Sequence, residues 1–584
     1  MASLYKKVIS GKPYYYLREM GWVDGKPKMV SERYLGSVAD IVKAMDAAEA
    51  GMMPQRTGHL AFGDVAAAWS LITELGVAAV IDEVAGARRS DAGASIGTYL
   101  ALAALGRLVA PRSKKAFADW WAGTAGDRFT RISGKVLDHR KFWDAMHAVD
   151  AAALQDISTR LAARMIDVFD LDTSSVALDM TNFATYIDTT NSRAPIAQRG
   201  KAKQKRTDLR LVGLGMVVTR AGGIPLVWHA YPGNRPDVTQ FPTLIDHLAR
   251  RYAALPGGST RTSRSGDGVG GGSGGGDPAA MTVVFDAGQN STANFEHLTN
   301  SGLHYVGSVP PSDCPDLLAL PASRRTPVDK TRYPGLTAID THRDVYGQHR
   351  RVVLTHSQTL HQDQARSFTD TTLAKVGQKL DDLAATLARG KTRRTHQEIT
   401  TEIDTITHHP WVRAVLDWDL TGDSPADRRL TWTINTVKRQ ALEENIFGKR
   451  ILITDHDDWT VADIIAGYRS QSEIEFGFRQ LKDPHEVSFS PMYHWTDHNI
   501  AVHTFTCVLA LQLAHLQRLK ARRAGHDLSV KAILDTLNGI QETVLIYPST
   551  GGRPKARRIT TDMTTDQRAL FDLYNLQRWA PATT

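Results

Sequence analysis

The chain has little cysteine: Cys314 and Cys507 are its two cysteines in 584 residues. So few thiols imply no disulfide framework, and they fit a reducing compartment. Long apolar runs are scarce as well. The longest, Val502 to Leu513, is too short to cross a bilayer and carries His503 and Gln512. The N-terminus, MASLYKKVISGK, lacks the apolar stretch of a secretory signal. The histidines are scattered, and His408-His409 runs into Pro410 with no HExxH helix. The glycine-rich run at 256–277, PGGSTRTSRSGDGVGGGSGGGD, has no lysine-serine pair after it and no strand before it. It reads as a flexible linker rather than a phosphate-binding loop. These absences leave the expectation of a cytoplasmic protein with no membrane partner.

Charge is the next clue. Lysine and arginine outnumber the acids 70 to 62, for a formal net charge of +8 and a pI near 9.2. A mild basic excess permits a polyanionic partner. The cations are clustered. Arg199 to Arg210 reads RGKAKQKRTDLR, with Lys203, Lys205 and Arg206 at its centre. Lys391, Arg393 and Arg394 form a second patch, and Arg518, Lys520, Arg522 and Arg523 a third. Each can contact phosphates or lie solvated. At this length several domains are expected.

In chain order, residues 1–50 read as a small β-meander with a turn at Asp24-Gly25, and 51–170 as helical, alanine-rich and locally basic. That helical region suits recognition of DNA ends, and an ordinary helical bundle is its plain alternative. Residues 174–181, SSVALDMT, read as a buried strand with Val176, Leu178 and Met180 on one face and Ala177, Asp179 and Thr181 on the other. An acid in such a strand is costly to bury unpaired, so Asp179 wants a ligand or a partner. A hairpin follows over 211–230, then a helix over 236–252. The strand MTVVF (281–285) delivers Asp286 at its carboxyl end, where ligands bind in α/β sheets.

The stretch Tyr468 to Lys482, YRSQSEIEFGFRQLK, reads as one helix, capped by Thr460 and Asp463 and ended by Pro484. Ile474, Phe478 and Leu481 make an apolar stripe. Tyr468, Glu475 and Lys482 recur every seven residues, a drift of about 20° per step, so they share a second face, flanked by Gln471 and Arg479. An amphipathic helix with a solvated charged face would look the same.

This stretch resembles the signature helix of bacterial insertion-sequence transposases of the DDE type, in the branch that includes the Tn-five and Tn-ten enzymes (the IS-four type). Those enzymes carry Tyr-x2-Arg-x3-Glu-x6-Lys. Tyr468, Glu475 and Lys482 match. Gln471 stands where the family has Arg, and Arg469 is its neighbour. The loop DAGQNS after Asp286 also looks like the family's second-Asp motif. The resemblance implies an α/β, ribonuclease-H-like catalytic core interrupted by an insertion domain, with a helical N-terminal region. The segments are 1–50, 51–170, 171–310 and 311–450 (the insertion), then 451–500 with the Glu-bearing helix and a helical 501–584.

The resemblance makes Asp179, Asp286 and Glu475 the catalytic acids and metal ligands. It implies two Mg²⁺ ions, with Mn²⁺ able to substitute. Tyr468, Arg469, Gln471, Arg479, Lys482, Lys203, Lys205 and Arg206 become the DNA contacts. The implied function is cleavage and strand transfer at terminal inverted repeats, with double-stranded DNA as partner and target and a homodimer in the synaptic complex. Two readings stay open beside it: a catalytically impaired, transposase-derived DNA-binding protein, and a ribonuclease-H-fold nuclease without strand transfer.

Overall fold

The computed structural model describes residues 2–23, 25–86, 93–200, 208–254, 281–391, 393–548 and 555–582. The glycine-rich run at 256–277 and the central cations Lys203, Lys205 and Arg206 lie outside the described residues.

The first strands, β1 (Ala2–Ile9), β2 (Lys12–Val23) and β3 (Lys26–Gly36), form an antiparallel meander. The helix Val38–Met52 follows, opened by a capping box between Ser37 and Asp40. Strand β4 (Arg56–Ala61) then leads into the helices Gly63–Glu74, Val77–Ala85, Ile96–Val109 and Ala151–Phe169.

The main sheet begins with β5 (Ser175–Thr185), β6 (Arg210–Thr219) and β7 (Pro225–Pro232). The turn between β6 and β7 needs Gly222 and Gly223, which sit at φ 87° and 64°. Strands β8 (Thr282–Phe285) and β9 (His304–Val309) follow, joined through the helix Thr292–Ser301. Next come β10 (Thr326–Pro327), β11 (Leu336–Val345) and β12 (Gln348–Ser357), then β13 (Leu416–Thr421), β14 (Arg429–Ile434) and β15 (Lys449–Thr454). Strands β16 (Gln541–Tyr547) and β17 (Lys555–Thr560) lie near the C-terminus.

Nine of these strands make one mixed sheet, ordered β10-β11-β12-β15-β9-β8-β5-β6-β7. Strands β5, β8 and β9 run parallel, and the other neighbours are antiparallel. The molecule is thus a mixed α/β protein. The alternation of β5 sorts its side chains as the sequence expects. Val176, Leu178 and Met180 join a core with Phe241, Leu244 and Phe295 from the helices Asp237–Ala254 and Thr292–Ser301. Ala177 and Phe183 join the opposite core, with Leu100, Leu161, Phe478, Leu511 and Leu513. Gly213 fits because the Tyr231 ring occupies the place a Cβ would take, 2.2 Å away.

Three sequence readings need adjustment. First, β10–β12 extend the main sheet, although the expected insertion covers 311–450. The apolar cluster separate from the sheet gathers side chains from Phe368 to Phe447 around the β13-β14 hairpin. Second, the expected helical segment 501–584 also contains strands, between the helices Val530–Asn538 and Thr565–Leu573: β16 pairs with β17 and with β4, which ties the C-terminal region to the N-terminal part of the chain. Third, the apolar run read as too short is part of a 27-residue helix, Asp497–Arg523, long and apolar enough by composition to span a bilayer. Its best 18-residue window has mean hydropathy 1.3 and is 94% buried inside the fold. It is the central helix between the sheet and the N-terminal helices, and His503 and His515 within it are fully buried.

Two buried histidines, His503 in this helix and His494 just before it, give the fold a pH dependence. His494 is 7% exposed, and its imidazole is pushed down to about 2, chiefly by burial and then by Lys114 and Arg107. His503 is held well below its ordinary value for the same reasons. Unfolded histidines protonate near pH 6.5. Below that pH the unfolded chain takes up more protons than the folded one, so stability falls as pH falls. The thermal midpoint should drop between pH 7.5 and 5.5. The His494→Gln variant should show a shallower drop over the same series.

Candidate active site

Parallel pairing sets the first two acids side by side. In the register of β5 and β8, Ala177 lies opposite Val284. Two residues further along the chain are Asp179, within β5, and Asp286, the first residue past β8. Neighbouring strands are about 4.8 Å apart and side chains repeat every two residues, so both acids leave the sheet on the face of Ala177 and Val284. Asp179 is half-buried and Asp286 exposed. Asp286 Oδ1 accepts from the Ser308 hydroxyl at 2.7 Å, from the Ala287 amide at 2.8 Å and from the Tyr468 hydroxyl at 3.3 Å.

The third acid comes from above this face. The stretch expected to be one helix is two: Val461–Arg469 and Gln471–Lys482, interrupted at Ser470. Tyr468 therefore belongs to the first helix, and the seven-residue argument that put it on one face with Glu475 and Lys482 does not apply. It reaches the site by another route, with its hydroxyl on Asp286. Burial is the main cause that raises its phenol above the ordinary value, and Asp286 adds to the rise, while Ser308 opposes it. Tyr468 is thus a neutral donor to the carboxylate.

The second helix is seated on β5 at both ends. Gln471 Nε2 donates to the Leu178 carbonyl at 3.5 Å, and Lys482 Nζ donates to the Thr181 hydroxyl at 2.6 Å. Eleven residues are close to three turns, so Gln471 and Lys482 face β5 alike, and Glu475 lies within about 40° of both. That places Glu475 over the β5 segment that carries Asp179. Ile474, Phe478 and Leu481 anchor the helix in the core. The rival acid Glu473 points elsewhere and pairs with Arg518 at 3.2 Å.

Asp286, Tyr468, Arg469, Gln471, Ser472 and Glu475 line one cleft of about 610 Å³, with Lys449, Arg450 and Ser308 on its wall. Arg469 lies over the Tyr333 ring at 4.5 Å, and Arg450 over the Tyr468 ring at 5.1 Å. Burial lowers the Lys449 ammonium to about 8, and its Nζ donates to the Leu318 carbonyl. Arg479 is exposed and lies 5.6 Å from the centre of the Phe476 ring. Sequence reasoning missed Ser308, Lys449 and Arg450. The adjacent cations that open β15 were the available signal for two of them. Nothing in the sequence ties Ser308 to Asp286, because that contact depends on the pairing of β8 with β9.

Asp286 and Glu475 line the cleft, Asp179 lies on the neighbouring strand outside its lining, and the three do not form a closed cage. Among the described residues, the group of three whose ligand atoms all lie within 4.8 Å of one another is His304, Asp455 and His456. The basic cluster at 518–523 is also not free. Arg518 pairs with Glu473, Lys520 with Glu74 and Arg522 with Asp527, and Arg523 donates to the carbonyls of Phe169 and Asp170. In the second patch Arg394 pairs with Glu402.

No family model and no curated protein matches the sequence. Among solved structures, the chain is similar to a piggyBac transposase in a synaptic complex with hairpin DNA, determined by cryo-EM. The match covers 83% of this chain and 82% of that chain, at 10% identity and a TM-score of 0.32. A likeness at that level is too slight to carry an argument about this protein.

Proposed function

We propose that the chain is a DDE-type transposase that cleaves and joins DNA at the cleft lined by Asp286 and Glu475, with Asp179 on the adjacent strand. One observation carries the reading: Asp179 on β5 and Asp286, just past the end of β8, each lie two residues beyond the paired Ala177 and Val284 of adjacent parallel strands, and the helix that carries Glu475 is seated on β5. The order β7-β6-β5-β8-β9, antiparallel and then parallel, supports a ribonuclease-H-like core, and 358–447 is the segment that fits an insertion.

The donor set fits a hard divalent ion. Two carboxylates on a solvent-open cleft whose lining has no cysteine or histidine, with Asp179 on the adjacent strand, suit Mg²⁺, which prefers oxygen and keeps waters. When bound there by Asp179, Asp286 and Glu475, such ions would activate the attacking oxygen and stabilise the leaving one. The protein's own groups do the rest. Ser308 and Tyr468 fix the Asp286 carboxylate by donating to one oxygen, which leaves the other free. Lys482 and Arg450 offer positive charge to a phosphate, and Arg469 extends that charge along the rim. A chain that cuts both ends of an element before either is lost would work as a pair of protomers on two DNA ends.

Gln471 favours a second reading, an impaired DNA-binding descendant. Its amide is spent on the Leu178 carbonyl, so no cation stands at that position of the signature. A single assay separates these readings. Purified protein is incubated with a terminal-repeat DNA end, a target plasmid and Mg²⁺. Joined product is expected; cutting without joining would indicate a nuclease, and binding alone the impaired descendant.

A further inference from the structure

A second polar cluster lies at the other end of β9. Ser308, beside Asp286, and His304 are four residues apart on that strand, about 13 Å at 3.3 Å per residue. Strand β15 runs antiparallel to β9, with Thr454 opposite Val306. Continuing the pairing brings Asp455 beside Tyr305 and His456 beside His304. Asp455 Oδ1 accepts from the Tyr305 amide at 2.9 Å, and Oδ2 faces His304 Nδ1 at 3.0 Å. The two imidazoles lie 4.5 Å apart between centres.

The loop that presents these groups is built, not loose. The Arg351 guanidinium, 9% exposed, donates to the carbonyls of His456, Asp457 and Trp459 and pairs with Asp340. The Trp459 ring stacks on His456 at 3.9 Å. Thr282 Oγ1 holds His456 Nε2 at 2.8 Å, the kind of outer partner that orients a ligating imidazole. His456 Nδ1 then faces Asp458 Oδ1 at 3.5 Å.

We propose that His304, Asp455 and His456 bind a divalent transition metal, with Asp458 placed to add a fourth donor. Two imidazoles and a carboxylate suit Zn²⁺, Co²⁺, Ni²⁺ or Mn²⁺ and disfavour Mg²⁺. Their ligand atoms already lie within 4.8 Å of one another. The ion would clasp the start of β9 to the loop after β15, joining the parallel strands to the antiparallel extension of the sheet. The proposal stands apart from the carboxylate cleft and does not depend on its activity.

Co²⁺ is the probe, because its visible ligand-field bands report coordination. Full-length metal-free protein is titrated with Co²⁺ in excess Mg²⁺, which keeps the carboxylate cleft supplied. One Co²⁺ per chain is expected, together with a higher thermal midpoint, since a ligand of the folded state stabilises it. His304→Ala and Asp455→Asn should each weaken binding about tenfold or more. Both side chains are partly exposed, at 39% and 31%, so the variants should fold, which circular dichroism checks. Asp286→Asn should keep the site. Absence of ligand-field bands in wild type, or equal Co²⁺ affinity in wild type and both variants, would overturn the proposal.

Discussion

Asp286→Asn should abolish DNA cleavage and leave DNA binding close to that of the wild type. The carboxylate is exposed and held by donors from Ser308, Ala287 and Tyr468, and an amide oxygen can keep accepting from them. The fold therefore has no reason to fail. What the variant lacks is the negative charge that a hard cation needs. Losing that stabilisation costs several kcal/mol in the transition state, about a thousandfold or more in rate at ~1.4 kcal/mol per tenfold. Affinity comes from phosphate neutralisation by lysine and arginine, which the substitution does not touch. Single-turnover cleavage of a labelled DNA end, paired with fluorescence anisotropy, measures both quantities. A loss of binding that matches the loss of cleavage would assign Asp286 a structural role.

Phe478→Ala should destabilise the protein by about 3–5 kcal/mol, the usual cost of removing a buried phenylalanine. Phe478 is 5% exposed and packs in the core between the Gln471–Lys482 helix and the sheet. The cavity would loosen the seating that holds Gln471 on Leu178 and Lys482 on Thr181. Cleavage should therefore fall below the folded fraction even at temperatures where the variant stays folded. Denaturant unfolding gives the first quantity, and activity per folded molecule the second. Wild-type activity per folded molecule would mean that Glu475 and Lys482 do not need that seating.

The strand alternation of β5 was legible because buried strands repeat every two residues, and Asp179 among Val176, Leu178 and Met180 breaks the apolar pattern visibly. Asp286 was legible from the apolar run that precedes it. The split at Ser470 was not, because the residues from Thr460 to Lys482 keep helix-compatible periodicity across it. Tyr468 lines the same cleft as Gln471 and Glu475 although it belongs to the preceding helix, and its contact with Asp286 follows a path no local pattern encodes. The addition of β10–β12 to the main sheet was equally hidden. Strand pairing across long sequence separations leaves no local mark, and Leu336–Val345 reads alike as the edge of an old sheet or the start of a new domain. The cations were the poorest guide. Arg518 and Arg523 read as phosphate-contacting or solvated, and Glu473 and two backbone carbonyls hold them.

The most direct measurement is anomalous diffraction from crystals of the protein with a cleaved DNA end and Mn²⁺, recorded at the manganese edge. Manganese peaks bounded by the carboxylates of Asp179, Asp286 and Glu475, with a DNA phosphate beside them, are expected. Peaks confined to His304, Asp455 and His456, with the DNA end remote from Asp286, would contradict the proposed function.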